Sequence, residues 1–122
     1  MQGNVVTALR KPAGVPYPNA YASKEHAKEN QAAYKFNCAQ RAHHNLMENM
    51  PQTMMSILFA GLVYPTAAAA LGVGWVVCRI LYAIGYIRSQ KPNGGGRYIG
   101  GGFWLMQVGL LGLSCATAFK ML

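Results

Sequence analysis

The sequence contains no aspartate, and its only carboxylate side chains are Glu25, Glu29 and Glu48. A Ser-His-Asp triad therefore has no third member. Cysteine is as scarce: Cys38, Cys78 and Cys115 are too widely spaced for a CxxC pair, and each sits in or beside an apolar run, as reduced packing residues do. Metal chemistry has little to build on. His44 and Glu48 are four apart on a helix, but His43 and His44 point about 100° apart, and neither HExxH nor a paired Cys/His spacing occurs. A nucleophilic role for Cys38 has only the nearby histidines in its favour. A cleaved signal peptide is not expected either, because Met1 to Arg10 offers only the short apolar run Val5 to Leu9.

What the chain has in quantity is apolar surface. Of its 122 residues, 52% are hydrophobic and 11% charged, the balance of a membrane protein of one domain. Eleven Lys and Arg against three acids give a formal charge of +8. These cations form no stripe interleaved with aromatics and no nucleic-acid motif; most lie in two segments flanking apolar runs. The charge therefore points to membrane topology and anion binding, not to nucleic acid.

Met1 to Leu9 reads as the last turns of an apolar helix, stopped by Arg10, Lys11 and Pro12. Residues 10–35 read as a loop with a short polar helix, for which Ser23 is the N-cap of KEHAKEN, and its charges as a solvated face. Residues 36–63 are the first full span, within a helix beginning near Gln31 that is polar at first and wholly apolar through MMSILFAGLV. Pro51 should kink it or open its hydrogen-bond ladder locally. After the uncharged turn at Tyr64-Pro65, residues 66–87 and 102–122 are two more spans of about the 20 residues a bilayer requires. Between them, RSQKPNGGGRYIGGG is neither a Walker loop nor a dinucleotide fingerprint, and its default is a flexible linker. The predicted fold class is an all-α integral membrane helical bundle with three transmembrane helices in one membrane domain.

The stretch Arg41 to Pro51, RAHHNLMENMP, carries the polar chemistry. Arg41, Asn45 and Glu48 stand at i, i+4 and i+7 on one helix face, and Arg79, Tyr82 and Tyr86 share a face of the next span. Charged groups within a membrane bundle face its interior or a watery cavity. The bland alternatives are an Arg41 and Glu48 that satisfy only each other, and tyrosines that form an interfacial belt. As a functional set, arginine suits carboxylates, Glu48 an ammonium, Asn45 a peptide bond, and Tyr82 and Tyr86 supply hydroxyls beside apolar surface. A tripeptide with two carboxylates, one amine and a thiol fits that inventory. Lowering its thiol pKa by two units takes about 2.7 kcal/mol of thiolate stabilisation, for which Arg97 and Arg88 are the candidates.

FNCAQRAHHNLMENMP, LGVGWVVCRILYAIGY and the upstream VPYP together resemble the superfamily of membrane-associated proteins in eicosanoid and glutathione metabolism. That resemblance implies a four-helix subunit in a homotrimer, with glutathione as co-substrate held between subunits near the cytosolic face of the endoplasmic reticulum membrane, the nuclear envelope and mitochondrial outer membrane being the alternatives. It also implies a lipophilic small-molecule substrate drawn from membrane lipid. The first family helix is represented only by Gly3 to Leu9. Carried over by motif, Arg41, Asn45 and Glu48, then Tyr82 and Tyr86, and then Arg10 and Lys11 before VPYP, match glutathione-binding positions. Arg97 corresponds to the thiolate-activating arginine. Asn49 stands where leukotriene synthases carry Tyr, which puts one contact in doubt. The implied activity is a glutathione transferase or peroxidase; the alternatives are a non-catalytic lipid-binding scaffold, an inactive short form, or a structural protein whose polar groups pair only with each other.

Orientation yields the first prediction. Arg10, Lys11, Lys24, Lys28 and Lys35 precede the first full span, and Arg88, Lys91 and Arg97 follow the second, so both basic segments should be cytosolic. Protease added to sealed microsomes should cut near Lys91 and Arg97 and spare the Tyr64 turn. Cleavage near Lys91 and Arg97 only after the vesicles are opened would reverse the topology.

Overall fold

A computed structural model describes residues 1–89 and 91–122. Among them the chain forms five α-helices, α1 (Gln2–Ala13), α2 (Lys24–Glu29), α3 (Gln31–Gly61), α4 (Pro65–Arg88) and α5 (Phe103–Met121), with a 3-10 segment, Pro92–Gly100, before α5. No strand occurs among the described residues.

Local chemistry sets most boundaries. The Ser23 hydroxyl accepts the His26 N–H at 3.2 Å to open α2, and Asn30 Oδ1 accepts the Ala32 N–H at 2.9 Å to open α3. Pro65 occupies the first turn of α4, where its missing N–H removes no intrahelical bond. Pro51 lies inside α3, which continues through it. Pro12 does not stop α1 as expected. It sits in the last turn, and the helix ends one residue later because Gly14 turns left-handed, φ 66°, with its N–H directed to the Arg10 and Lys11 carbonyls.

α3 and α4 form an antiparallel pair, α5 packs against both, and α1 lies along α3. The two contacts of α3 fall on opposite faces. Ala33, Phe36 and Ala39 meet Val6, Ala13 and Val15, whereas Cys38 and Ala42 join Trp75, Tyr82, Ala83, Tyr86 and Phe103. Phe36 and Cys38 are two residues apart, about 200° around the helix. A third cluster of Ala60, Ala68 and Leu110 closes the far end. Small residues stand in every cluster, Ala33 and Ala39 toward α1, Cys38, Ala42 and Ala83 between α3 and α4, and Ala60 with Ala68 at the far end, which lets the helices approach closely where no water drives them together.

The outer surface is apolar. Val73, Val76, Val77, Ile80, Leu81 and Ile84 form one exposed stripe on α4, and Leu105, Val108 and Leu111 continue it on α5. Such a surface is solvated by lipid, not by water. α4 and α5 are long and apolar enough to span a membrane, with mean hydropathy of 1.8 and 1.2. The expected first span, 36–63, does not qualify by composition: the polar residues from Arg41 to Gln52 occupy the middle of α3. At 31 residues, α3 is about 46 Å long, well beyond the roughly 30 Å of a hydrocarbon core. Its length accommodates a polar N-terminal half and an apolar C-terminal half.

The glycine-rich stretch departs furthest from expectation. In place of a flexible linker, the 3-10 segment packs along α4, interrupted by left-handed Asn93 (φ 57°) and Gly94 (φ 66°). Its glycines permit backbone contact. A Cβ on Gly100 would strike the Tyr82 backbone nitrogen and the Cys78 carbonyl oxygen, and one on Gly96 would strike the Gly85 carbonyl oxygen and the Ser89 side chain. Gly100→Ala should therefore lower thermal stability in detergent by about 1–3 kcal/mol, the usual cost of overpacking. Gly112→Ala, at a position with nothing within 4 Å of the added methyl, should leave stability unchanged or slightly raised. Equal tolerance at the two sites would mean that the segment is not clamped.

Candidate functional site

A cavity of about 500 Å³ opens where α3, α4, the 3-10 segment and the start of α5 meet, within the size range of small-molecule sites. Arg41 and Asn45 reach it from α3, Tyr82 and Tyr86 from α4, Arg97 and Tyr98 from the 3-10 segment, and Phe103 and Trp104 from α5. Tyr82 and Tyr86 are buried and meet edge to face at 5.6 Å, and Tyr82 meets Phe103 in the same way at 5.4 Å. This interlocked aromatic wall fixes the tyrosine rings. Two guanidiniums and no carboxylate line the cavity, so it attracts anions.

Arg97 Nη2 donates to the Tyr98 hydroxyl at 3.2 Å, and its guanidinium stands 5.1 Å from the Tyr98 ring centre and 6.0 Å from that of Tyr86. The Tyr98 and Tyr86 hydroxyls push its pKa above the ordinary arginine value, so it is a permanent cation. Its place is held from below by Tyr34. The Tyr34 hydroxyl accepts the Gly94 N–H at 3.0 Å and donates to the Lys91 carbonyl at 3.2 Å, clasping the glycine-rich segment to α3. Burial, first among the causes, raises the Tyr34 pKa above the usual tyrosine range. The donated half of the clasp, to the Lys91 carbonyl, needs the protonated hydroxyl and is lost as pH rises through the raised value, whereas the bond accepted from the Gly94 N–H survives ionisation.

Five of the sequence-derived residues, Arg41, Asn45, Tyr82, Tyr86 and Arg97, share this cavity. Three do not. Glu48 lies outside the lining, half exposed, and faces Arg41 at 4.0 Å, also half exposed. Arg10 and Lys11 line a separate open depression of about 370 Å³ with Gly14, Val15 and Pro16. Arg10 is engaged there: Nη1 donates to the Asn19 carbonyl at 2.6 Å, and the guanidinium stacks 4.2 Å from the Tyr17 ring centre and 4.9 Å from that of Phe36. The separation follows from α1 and α4 occupying opposite faces of α3. Arg88 is exposed at the end of α4 and does not line the cavity.

Asn49 is not a cavity residue. It is buried toward α5, accepts from Gln107 Nε2 at 3.2 Å and donates to the Asn45 carbonyl at 2.8 Å. Sequence reasoning missed Tyr98, Phe103 and Trp104, which it assigned to a linker and a span. The aromatic directly after Arg97 was the available signal for Tyr98. Arg79 was placed on the tyrosine face, yet it is buried behind that face, only 2% exposed, with Nη1 donating to Asn45 Oδ1 at 2.7 Å.

Fold and site define a class: a helical membrane protein with an aromatic, cationic cavity at the polar end of its bundle. The sequence model of the MAPEG family matches residues 1–117, and the chain belongs to that family. The family includes glutathione transferases, peroxidases and proteins of eicosanoid synthesis. No solved structure matches the chain.

The clasp is directly testable. Tyr34→Phe removes both hydrogen bonds to the segment while keeping the ring. Amide hydrogen exchange across residues 93–97 should accelerate roughly tenfold, as loss of a net kcal/mol or so predicts. Exchange that quickens no more there than along α5 would show that Tyr34 does not hold the segment.

Proposed function

We propose that this protein is a glutathione-dependent membrane enzyme of the microsomal glutathione transferase 3 type. It conjugates glutathione to lipophilic electrophiles or reduces lipid hydroperoxides with it. The observation that carries this is convergence: Arg41, Asn45, Tyr82, Tyr86 and Arg97, drawn from three separate elements, line one cavity. Its donor-rich wall suits a dianionic, thiol-bearing peptide, and Phe103 with the half-exposed Trp104 gives it an apolar side for the second substrate.

In either reaction the thiolate is the nucleophile. In conjugation sulfur attacks an electrophilic carbon, the S–C bond forms, and the displaced group leaves with its electron pair. In reduction sulfur attacks the terminal peroxide oxygen, the O–O bond breaks, and an alcohol is released after protonation. A second glutathione then displaces water from the sulfenic acid to give the disulfide. The protein contributes placement and charge, not a covalent side chain. Arg41 and Asn45 bind the peptide, Tyr82 and Tyr86 orient it, and Arg97 holds the thiol as thiolate. Glu48 takes the ammonium from outside the lining.

The active assembly is a homotrimer in the endoplasmic reticulum membrane with its cavities toward the cytosol. Arg41 and Glu48, half exposed on a helix at membrane depth, are there covered by another subunit and not by lipid. Arg10 and Lys11, on the other face of α3, serve the cavity of a neighbour.

Thiolate absorbance of bound glutathione tests this. Wild type should bind glutathione in detergent and show the thiolate at neutral pH. Arg97→Ala should require a pH about two units higher, matching the roughly 2.7 kcal/mol of thiolate stabilisation that two units represent. Arg88→Ala should titrate as wild type; a shift with Arg88→Ala alone would transfer the activating role to Arg88. No glutathione binding by wild type would leave a lipid-binding or structural protein.

A further inference from the structure

Arg79 presents a buried cation without an anion. It lies within α4 at 2% exposure, and the one ion pair among the described residues joins Arg41 to Glu48. The guanidinium is instead surrounded by ring faces, 4.5 Å from the centre of Phe103 and 4.8 Å from that of Tyr82, with Trp75 at 5.7 Å. Its polar contacts are Asn45 Oδ1 at 2.7 Å and, more weakly, the Ala42 carbonyl at 3.5 Å, and its Nε has no partner among the described residues. Cation–π contacts offset part of the desolvation. Replacing a buried charge so placed by an apolar side chain of similar size is often neutral or stabilising.

One contact gives this costly residue a task. A guanidinium has five donors and no acceptor, so the atom that Asn45 turns to it must be the amide oxygen. The amide nitrogen is then left for the cavity that Asn45 lines. We propose that Arg79 is a positioning residue that polarises the floor of the cavity: by holding the Asn45 oxygen, it presents only N–H donors to the ligand. The ligand group seated on Asn45 is accordingly an acceptor, a carbonyl or carboxylate oxygen, and not an amide N–H or an ammonium. With Arg41 and Arg97 also pure donors, the acceptors left in the lining are the tyrosine hydroxyls and main-chain carbonyls. This refines the binding of glutathione and rests on that proposed function.

Equilibrium binding of glutathione to the full chain in detergent, with thermal unfolding of the same samples, tests the assignment. Asn45→Asp keeps an acceptor for Arg79 but turns a second oxygen toward the ligand. It should raise the melting temperature, because Arg79 gains a carboxylate, and weaken binding by about tenfold or more, as expected for a donor replaced by a lone pair. Arg79→Met releases the amide; it should weaken binding several-fold with no loss of melting temperature, and Arg79→Lys, another pure donor, should restore affinity. In turnover the loss of Arg79 should appear in the glutathione KM, with kcat and the thiolate titration little changed. Wild-type affinity in Asn45→Asp or in Arg79→Met would overturn the role of Arg79 while leaving glutathione binding intact. Failure of wild type to bind glutathione would overturn the functional proposal itself.

Discussion

The buried contact between Arg79 and Asn45 is the constraint on which the polar end of this bundle depends. In lipid, a polar group that finds no partner within the protein costs several kcal/mol, so polar side chains on α3 have to be met by α4 and α5. Arg79 meets Asn45, and Gln107 meets Asn49, whose own amide returns to the Asn45 carbonyl. These bonds tie three helices together along one edge of α3. The face of α3 toward α4 and α5 is thereby fixed, and Arg41 is brought to the cavity while Glu48 is left beside it.

The second constraint is steric. Helix α4 lets another backbone lie against it because glycines stand on both sides of the contact. Gly85 faces the carbonyl of Gly96, and Gly100 lies on the backbone between Cys78 and Tyr82. The sequence after α4 is consequently held in place although it is glycine-rich. Tyr34 adds a polar clasp from α3 at Gly94. Arg97 in this segment thus stands on a supported backbone.

The fold leaves a polar surface within an apolar one. Arg41 and Glu48 are half exposed on α3, while the outer stripes of α4 and α5 are aliphatic. The depression at Arg10 and Lys11 is a second cationic feature, set across α3 from the cavity.

The sequence by itself determined the helical class, the membrane character and the face shared by Arg41 and Asn45, because these depend on composition and on the 3.6-residue period alone. It also placed Ser23 as a cap and Tyr82 with Tyr86 on one face, since i and i+4 positions coincide on any helix. Where a helix ends at a proline was less legible: Gly14, not Pro12, stops α1, because a left-handed backbone terminates a helix more decisively than a missing N–H in its last turn. Tertiary structure alone decided that the glycines of the 3-10 segment are contact points, that Arg97 and not Arg88 lines the cavity, and that Arg10 and Lys11 lie elsewhere. It alone turned Asn49 toward Gln107 and buried Arg79 against Asn45. Each of these depends on which elements meet across long sequence separations, and periodicity within one helix carries no information about what lies opposite.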